Sequence, residues 1–291
     1  MSHDKALLPD KSQVRISFDR AAGTYDKFAA LQYEVADRLL ERLVLINTKI
    51  KTVLDVGCGT GYCTRALGEH YKRAKIIGLD LSPAMVAYAS AQHSRWRKGR
   101  YIAGDAESLP VASNSIDLIF SNLALQWCDP DAVFGEFARV LRPGGTIFFS
   151  TFGPNTLHEL RQAWADVNES PHVHDFIDMH DLGDALMRAG LLEPVMDREN
   201  LVVDYADVTA VMRDLKGVGA HNVAPERSRG LSGKTTFMKF RAAYEALAKN
   251  GRIPATYDAI YGHAWAGQPR QDNFFDGAHH ISISDIGGRK R

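Results

Sequence analysis

Short apolar runs alternate with longer amphipathic segments along this 291-residue chain. The runs are rich in Val, Ile and Leu and too short for helices, which is typical of buried strands, whereas the longer segments repeat their apolar residues at helical spacing. Strands are predicted at 53–56, 75–80, 101–102, 117–121, 146–151, 193–204 and 254–264. This alternation indicates an α/β fold, in which a seven-stranded, mostly parallel sheet carries helices on both faces.

Helices are predicted between these strands. They cover 62–70, a segment that begins at Ser82–Pro83, one that begins at Asp129–Pro130, 155–167 and 181–190. Ser or Asp followed by Pro fits the preferences for the N-cap and first position of a helix. The segment R-P-G-G, Arg142–Gly145, is expected to end one helix and turn into the fifth strand. Residues 205–252 are expected to form a helical insertion before the last strand.

The chain before the first strand is predicted to act as a lid. Residues 1–12 are expected to be a loose tail, and 14–45 to be helical with a break near Gly23. Leu31, Val35, Leu39, Leu40 and Leu43 form a core-facing stripe at helical spacing. Three side chains are expected near a ligand under this lid, with helix packing alone as the alternative: Arg20, Tyr25 and Phe28. The predicted divisions are 1–45, 46–266 and a polar tail without regular structure, 267–291.

A glycine-rich turn follows the first strand. Thr52–Tyr62 reads T-V-L-D-V-G-C-G-T-G-Y. A dinucleotide fingerprint needs a small residue where Tyr62 stands, and a phosphate loop needs a lysine that is missing here. The remaining pattern, D-x-G-x-G-x-G, resembles motif I of the class I S-adenosylmethionine-dependent methyltransferases. The resemblance implies cofactor contacts from the turn, with Asp55 against the cofactor ammonium and Gly57, Cys58, Gly59 and Gly61 beneath its methionine part.

The ends of the next three strands carry further candidate cofactor residues, because ligands bind outside the carboxyl ends of parallel strands. Asp80 ends the second strand at the distance that suits ribose hydroxyls, although helix capping is an alternative. The family resemblance implies that Asp105 accepts a hydrogen bond from the adenine amino group. An aspartate that only forms a turn is the alternative. The remaining candidates beside them are Leu81, Met85, Ala106, Asn122 and Leu123.

Composition and charge limit the classes of binding partner and the compartment that the sequence predicts. The chain is 45% hydrophobic and 24% charged, with a formal net charge of +0, so global charge predicts neither nucleic-acid nor membrane binding. No apolar run reaches the roughly 18 residues of a membrane helix. The three cysteines show no disulfide framework, which favours a cytoplasmic location. Pro171–Asp181 holds three histidines and three acids, yet a solvated loop with a helix cap is favoured over a metal site, because His172 and His174 lie two residues apart.

The insertion carries a local charge imbalance. Residues 205–252 contain nine Lys or Arg against four Asp or Glu, an excess of five positive charges in a neutral chain. This pattern fits either a solvated helical face or a docking surface for an acidic partner.

Several pieces together resemble the malonyl-acyl-carrier-protein O-methyltransferases of biotin synthesis, over about Val14 to Ala264. They include S-F-D-R-A-A-G-T-Y-D, S-N-L-A-L-Q-W-C and, most selectively, R-D-L-K-G-V-G-A-H-N at Arg213–Asn222. The same pieces are also similar to a mitochondrial complex I assembly factor that modifies a protein arginine. The malonyl enzymes imply an S-adenosylmethionine-dependent methylation of the free malonyl carboxylate, carried on an acidic acyl carrier protein or on CoA.

The implied reaction needs no general base, because a carboxylate is already ionised near pH 7. The side chains expected to position the substrate are Tyr25, Gln126, Trp127, Arg213, Lys216 and His221. A methyltransferase of another small carboxylate or of a protein side chain is an alternative function. A cofactor-binding assembly factor without methyl transfer is a further one.

Overall fold

A seven-stranded sheet forms the centre of the protein in a computed structural model. The structure describes residues 9–46, 48–92, 100–168, 172–220 and 233–267, together with 274–275 and 278–279. The strands are β1 Thr52–Val56, β2 Lys75–Asp80, β3 Arg100–Ala103, β4 Ile116–Asn122, β5 Leu141–Phe152, β6 Leu191–Tyr205 and β7 Ile253–Ala266. All seven predicted strands are therefore present.

The strand order is β3-β2-β1-β4-β5-β7-β6. The first five of these strands pair in parallel, and β7 runs antiparallel between β5 and β6. The order reverses direction beside β1, so the connections after β1 and β4 leave the sheet on opposite sides of one crevice. The prediction of a mostly parallel sheet with helices on both faces is confirmed.

Helices connect and cover the strands. They are α1 Lys11–Ala21, α2 Ala30–Glu41, α3 Tyr62–His70, α4 Pro83–Gln92, α5 Pro130–Val140, α6 His158–Ala165, α7 Met179–Arg188, α8 Val208–Gly217 and α9 Lys234–Glu245. Their starts have local causes: the carboxylates of Asp129, Asp178 and Asp207 each accept a backbone N–H of the first turn. The predicted cap of α4 is present too, since the Met85 N–H donates to Ser82 Oγ at 3.1 Å.

Alternating strand residues divide the core between the two faces of the sheet. Val53 and Leu118 pack in one cluster with α2, α3, α6, α8 and α9, while the neighbouring Leu54 and Ile119 pack in another with α5 and α7. Successive strand residues point to opposite faces, so runs that are apolar at every position indicate a sheet that is covered on both sides.

Several predicted boundaries were wrong. The expected tail 1–12 overlaps α1, which begins at Lys11 because the Asp10 side chain caps it. The helices expected at 155–167 and 181–190 are α6 and α7, which run from His158 to Ala165 and from Met179 to Arg188. The expected turn at Arg142–Gly145 is instead part of β5, where the pairing with β4 jumps from Leu141 to Thr146.

The C-terminal segment also differs from its prediction. Phe274–Phe275 and Ala278–His279 pair as a two-stranded hairpin, so this part of the expected irregular tail has regular structure. The other residues of 268–291 lie outside the described residues.

The N-terminal segment lies across the carboxyl ends of the central strands. Ser17 Oγ donates to the Gly219 carbonyl at 2.8 Å, which ties α1 to the end of α8. Asp19 Oδ1 accepts the Ser82 hydroxyl at 2.5 Å and the Ala84 N–H at 3.2 Å, which ties it to the start of α4. The helix therefore bridges two elements on opposite sides of the crevice.

Two further features concern the whole described chain. None of its helices in the described ranges has the length and apolarity that a membrane crossing requires. Its cysteines, Cys58, Cys63 and Cys128, are buried and unpaired.

Candidate active site

A cavity opens at the carboxyl ends of β1, β2 and β4, beneath α1 and beside α8. Its wall includes most of the residues expected to hold cofactor or substrate: Tyr25, Gly57, Gly59, Asp80, Leu81, Met85, Asp105, Ala106, Asn122, Leu123, Gln126 and Trp127. Phe28 of the lid also lines it. The structure thus brings these side chains together, as the order of the strands requires, while their roles in binding stay predictions.

The glycine turn is held against the second strand. The N–H groups of Gly57 and Cys58 both donate to the Leu79 carbonyl, at 2.8 and 3.0 Å. Gly57 has φ +74°, and a Cβ there would lie 2.3 Å from the Ala124 Cβ. Gly59 has φ +51°, but a Cβ there meets nothing within 4 Å. Glycine is needed at the first position for packing and at the second to keep the cavity open.

Asp80 joins the glycine turn to the start of α4. Its Oδ2 accepts the Gly59 N–H and its Oδ1 accepts the Ser82 N–H, both at 2.8 Å. Burial raises the pKa of this carboxyl from 3.8 to about 6, while the two backbone donors oppose the rise. Each oxygen keeps a lone pair toward the cavity, because a carboxylate has about four acceptor sites.

Three residues of the glycine motif do not reach the cavity. Asp55 is buried at 1% exposure, and its Oδ2 accepts the Thr64 hydroxyl at 2.5 Å. Burial raises the pKa of Asp55 to about 7, and Asp80 adds to the rise. Cys58 and Gly61 likewise do not line it. The expected contact of Asp55 with a ligand is therefore not supported: its strand position points the side chain beneath α3.

Asp105 is already paired in this structure. Lys11 of α1 donates to both of its carboxylate oxygens, at 2.6 and 2.7 Å, and lies 2.7 Å from Glu107. Lys11 lines the cavity and belongs to the segment that was expected to be a loose tail. The ion pair fastens the start of the lid to the third strand end.

The loop after β4 is fixed by polar contacts. Asn122 Nδ2 donates to the Gln32 carbonyl at 3.1 Å, and Ser150 Oγ donates to Asn122 Oδ1 at 2.7 Å. Gln126 Nε2 donates to the Leu123 carbonyl at 2.7 Å. Leu123 has φ +50°, a strained conformation for a residue with a branched side chain. A strained non-glycine residue on a cavity wall is typical of a functional loop.

Three expected residues lie away from the cavity. Arg20, Arg213 and Lys216 are exposed and do not line it. On α8 the reason is helical phase: 213 and 216 are three residues apart and share the outer face, whereas Asp214, Leu215 and Val218 face the cavity. His221 lies outside the described residues, as does the rest of 221–232, which includes Arg227 and Arg229 of the basic insertion.

The histidine segment is less exposed than the solvated loop that the sequence predicted, whereas the predicted helix cap is present, since Asp178 caps α7. His172 and His174 both line the cavity. His172 stacks on Trp164 with ring centroids 3.6 Å apart, and its Nε2 lies 2.9 Å from Asn168 Oδ1. His174 lies against Trp127, 5.0 Å between centroids, and burial lowers its pKa to about 4. The contact between His174 and Trp127 joins segments that are distant in sequence, so no local pattern could have revealed it.

Aromatic and polar groups complete the wall opposite the glycine turn. Tyr205, Tyr257 and Asp214 all line the cavity. Burial raises the pKa of Tyr25, so its phenol is protonated at neutral pH and can donate. Within the described ranges, no group of three or more His, Cys, Asp or Glu side chains is arranged to hold a metal ion.

Comparisons with known proteins agree with this geometry. Residues 54–149 match a family model described as a methyltransferase domain. Two solved structures share the fold at low identity. The YcgJ protein of Bacillus subtilis has a TM-score of 0.58 and 18% identity, covering 79% of this chain and 98% of its own. Phosphoethanolamine N-methyltransferase 2 of Haemonchus contortus, in complex with S-adenosyl-L-methionine, has a TM-score of 0.54 and 16% identity, covering 86% and 57%.

Sequence relatives are much more similar and match over nearly the whole length. A malonyl-(acyl-carrier protein) O-methyltransferase of Laribacter hongkongensis is 51% identical over 278 residues, 92% of this chain and 94% of the relative. One from Methylovorus is 49% identical over 272 residues, 91% and 92% of the two chains. The chain therefore belongs to the malonyl-(acyl-carrier protein) O-methyltransferase family.

Proposed function

We propose that this protein transfers the methyl group of S-adenosylmethionine to the free carboxylate of a malonyl thioester on acyl carrier protein. The product is the methyl ester, the first intermediate of pimeloyl synthesis for biotin. The observation that carries the proposal is 51% identity, over nearly the full length, to a malonyl-(acyl-carrier protein) O-methyltransferase. The cavity supports it, since its wall includes both hydrogen-bond acceptors and aromatic side chains.

The acceptors suit this cofactor. Its ribose hydroxyls, ammonium and adenine amino group are all donors, so they need acceptors. Asp80 would accept hydrogen bonds from the ribose hydroxyls. Asp105 would accept one from the adenine amino group after Lys11 releases one of its carboxylate oxygens. Gln32 Oε1 is buried on the same wall and has no hydrogen-bond partner in the described ranges, so it would take the ammonium that was first assigned to Asp55. The open space above Gly59 fits the methionine part.

When bound, S-adenosylmethionine supplies an electrophilic methyl group. The protein then has to orient the carboxylate and exclude water. A carboxylate needs no base at neutral pH, and two opposite charges disappear as the bond forms, so a dry wall favours the reaction. Phe18, Trp127 and Phe152 provide such a wall. We assign the positioning of the acyl group to Tyr25, Gln126 and Trp127, which lie on the cavity wall.

Carrier recognition is assigned to the outer face of α8. Arg213 and Lys216 are exposed there, on the helix whose inner face lines the cavity. A carrier protein delivers its acyl group on a long arm, so its own acidic surface meets the enzyme at the cavity rim. Exposed charges at such a rim act mainly on the encounter rate and are screened by salt.

Transfer itself is tested with labelled cofactor and malonyl-carrier protein, followed by mass analysis of the carrier. The expected result is one added methyl group, lost on mild ester hydrolysis. A methyl group on a protein side chain of the carrier, or none at all, would contradict the proposal. The reducing cytoplasm, proposed as the compartment, fits the three unpaired cysteines.

Docking is tested by the double change Arg213→Glu and Lys216→Glu. We expect kcat/KM for malonyl-carrier protein to fall at low salt, roughly tenfold, while activity on malonyl-CoA stays unchanged. The matched control reverses Lys72 and Arg73, which are also exposed and precede β2, a strand in the other half of the sheet from β6. Equal losses on both substrates, or equal losses from both double variants, would exclude a docking role for α8.

A further inference from the structure

The histidine segment carries a polar atom without a partner in the part of the chain that the structure describes. His174 Nε2 is buried and meets no hydrogen-bond partner among those residues, although the side chain lines the cavity. A buried polar group that stays unpaired costs free energy, so proteins seldom keep one without a purpose. An apolar aromatic residue would fill the same place at lower cost.

The ring is held firmly in this position. It packs between Trp127 and Phe176, with centroids 5.0 and 4.3 Å away. Its backbone carbonyl accepts Arg161 Nη2 at 3.2 Å, and the same guanidinium lies 3.2 Å from Asp175. The segment is therefore braced from behind, and the ring that carries Nε2 has a rigid support.

The chemistry of the free atom matches an acyl oxygen. Burial, with a contribution from Arg161, keeps the imidazole uncharged at neutral pH, so one ring nitrogen carries a proton and donates. A malonyl thioester presents only acceptors at its acyl end. An uncharged donor can orient such a group without the strong ground-state stabilisation that a cation would give to the attacking carboxylate.

We propose that His174 is a substrate-binding residue, whose Nε2–H hydrogen-bonds the thioester carbonyl oxygen of the malonyl group and so orients the acyl group in the cavity. This inference rests on the proposed methyl transfer and adds to it a residue that neither the sequence motifs nor the family resemblance assigned. Trp127, in contact with the ring, forms the adjoining wall.

The test compares His174→Phe and His174→Gln with the wild type. His174→Phe keeps the aromatic contacts and loses the donor, so KM for malonyl-carrier protein should rise roughly tenfold, with kcat changed less than about twofold. His174→Gln restores an uncharged donor and should recover most of the loss. His180→Phe, the same change at an exposed histidine that does not line the cavity, serves as the control and should keep the wild-type KM.

Two further measurements separate binding from folding. Affinity for S-adenosylmethionine should be unchanged in both variants, and Tm of His174→Phe should not fall, since an unpaired buried polar atom has been removed. Unchanged KM in a folded His174→Phe, while the wild type methylates malonyl-carrier protein, would overturn this inference alone. A lower Tm with losses that Gln does not recover would assign His174 to packing. A wild type without activity would instead overturn the proposed function.

Discussion

Asp80 makes cofactor affinity depend on pH. Its carboxylate bridges Gly59 and Ser82, and its remaining lone pairs face the cavity. If these lone pairs accept ribose hydroxyls, the cofactor binds the ionised form of Asp80 better than the protonated one, because a protonated oxygen can no longer accept two donors. Affinity for S-adenosylmethionine should therefore decrease as the pH falls through the pKa of this group.

The size of the effect follows from the pKa of about 6 that burial gives Asp80. If only the ionised form binds, affinity is nearly full at about pH 7, half at about pH 6 and roughly a tenth at about pH 5. The difference between pH 7 and pH 5 then corresponds to about 1.4 kcal/mol. With an ordinary aspartate pKa near 3.8 in its place, the affinity would fall by only about 6% over the same range.

Isothermal titration calorimetry between about pH 5 and pH 8 measures this slope directly. Asp80→Asn should bind more weakly at pH 7, by about 1–3 kcal/mol, and its affinity should change little with pH. The side-chain amide in Asp80→Asn would place an N–H donor against one of the two backbone N–H groups, which can weaken binding by itself. The pH dependence of the affinity is therefore more informative than its absolute value. Asp55→Asn is the matched control, since Asp55 titrates nearby but does not face the cavity.

Parallel pH profiles for the wild type and Asp80→Asn would refute the ribose role of Asp80. A profile that becomes flat in Asp55→Asn and not in Asp80→Asn would assign the titration to the buried acid beneath α3. Either result would leave Asp80 as a cap that only orders the glycine turn.

Three other predictions follow from the same site. Gly57→Ala should lower the free energy of unfolding by about 2–5 kcal/mol because of its φ of +74° and a clash at 2.3 Å. Gly59→Ala should lower it by only about 1 kcal/mol but weaken cofactor binding at least roughly tenfold. Chemical denaturation measures the stabilities, and calorimetry measures the affinities. Because folding raises the pKa of Asp55 from 3.8 to about 7, this group should lower stability by up to about 4 kcal/mol as pH rises through this window. In urea titrations Asp55→Asn should remove this contribution and leave the smaller one of Asp80. Hydrogen exchange over residues 14–30 should slow when cofactor is added, and Lys11→Met should speed it roughly two- to fivefold without ligand.

The strands and the order of the motifs were predictable because they depend on local pattern. The predicted bounds 62–70 and 75–80 are those of α3 and β2, since an apolar run, a glycine turn and an amphipathic repeat each leave a local signature. The carboxyl ends of parallel strands then meet at one edge, so Asp80, Asp105 and Asn122 had to converge.

Side-chain direction was less predictable. Asp55 belongs to the motif, yet it points beneath α3 toward Thr64, because its orientation is fixed by the alternation of β1 and not by the glycines after it. Arg213 and Lys216 are in the selective R-D-L-K segment, yet the phase of α8 turns Asp214 inward instead. A motif identifies positions, whereas the wall of a cavity depends on how each helix is rotated in the packed structure.

Long-range contacts were not predictable at all. His174 reaches the cavity because Trp127 and Phe176 hold its ring. Lys11 is held there by its ion pair with Asp105, which lies 94 residues further along the chain. Nothing in the sequence around either residue indicates such a neighbour. The polar composition of the histidine segment therefore predicted a solvent-exposed loop, and the first turn of α1 was predicted to be part of a loose tail.

The charges on the cavity wall bear on how a malonyl carboxylate is recognised. Among the lining residues in the described ranges, Lys11 is the single Lys or Arg, and it is already shared between Asp105 and Glu107. The described wall therefore offers the carboxylate uncharged donors. This suits the reaction, because a cation held against the carboxylate would stabilise the ground state more than the transition state, in which that charge is disappearing. Positive charge on the outer face of α8 attracts the carrier without that penalty, since it stays outside the dry cavity.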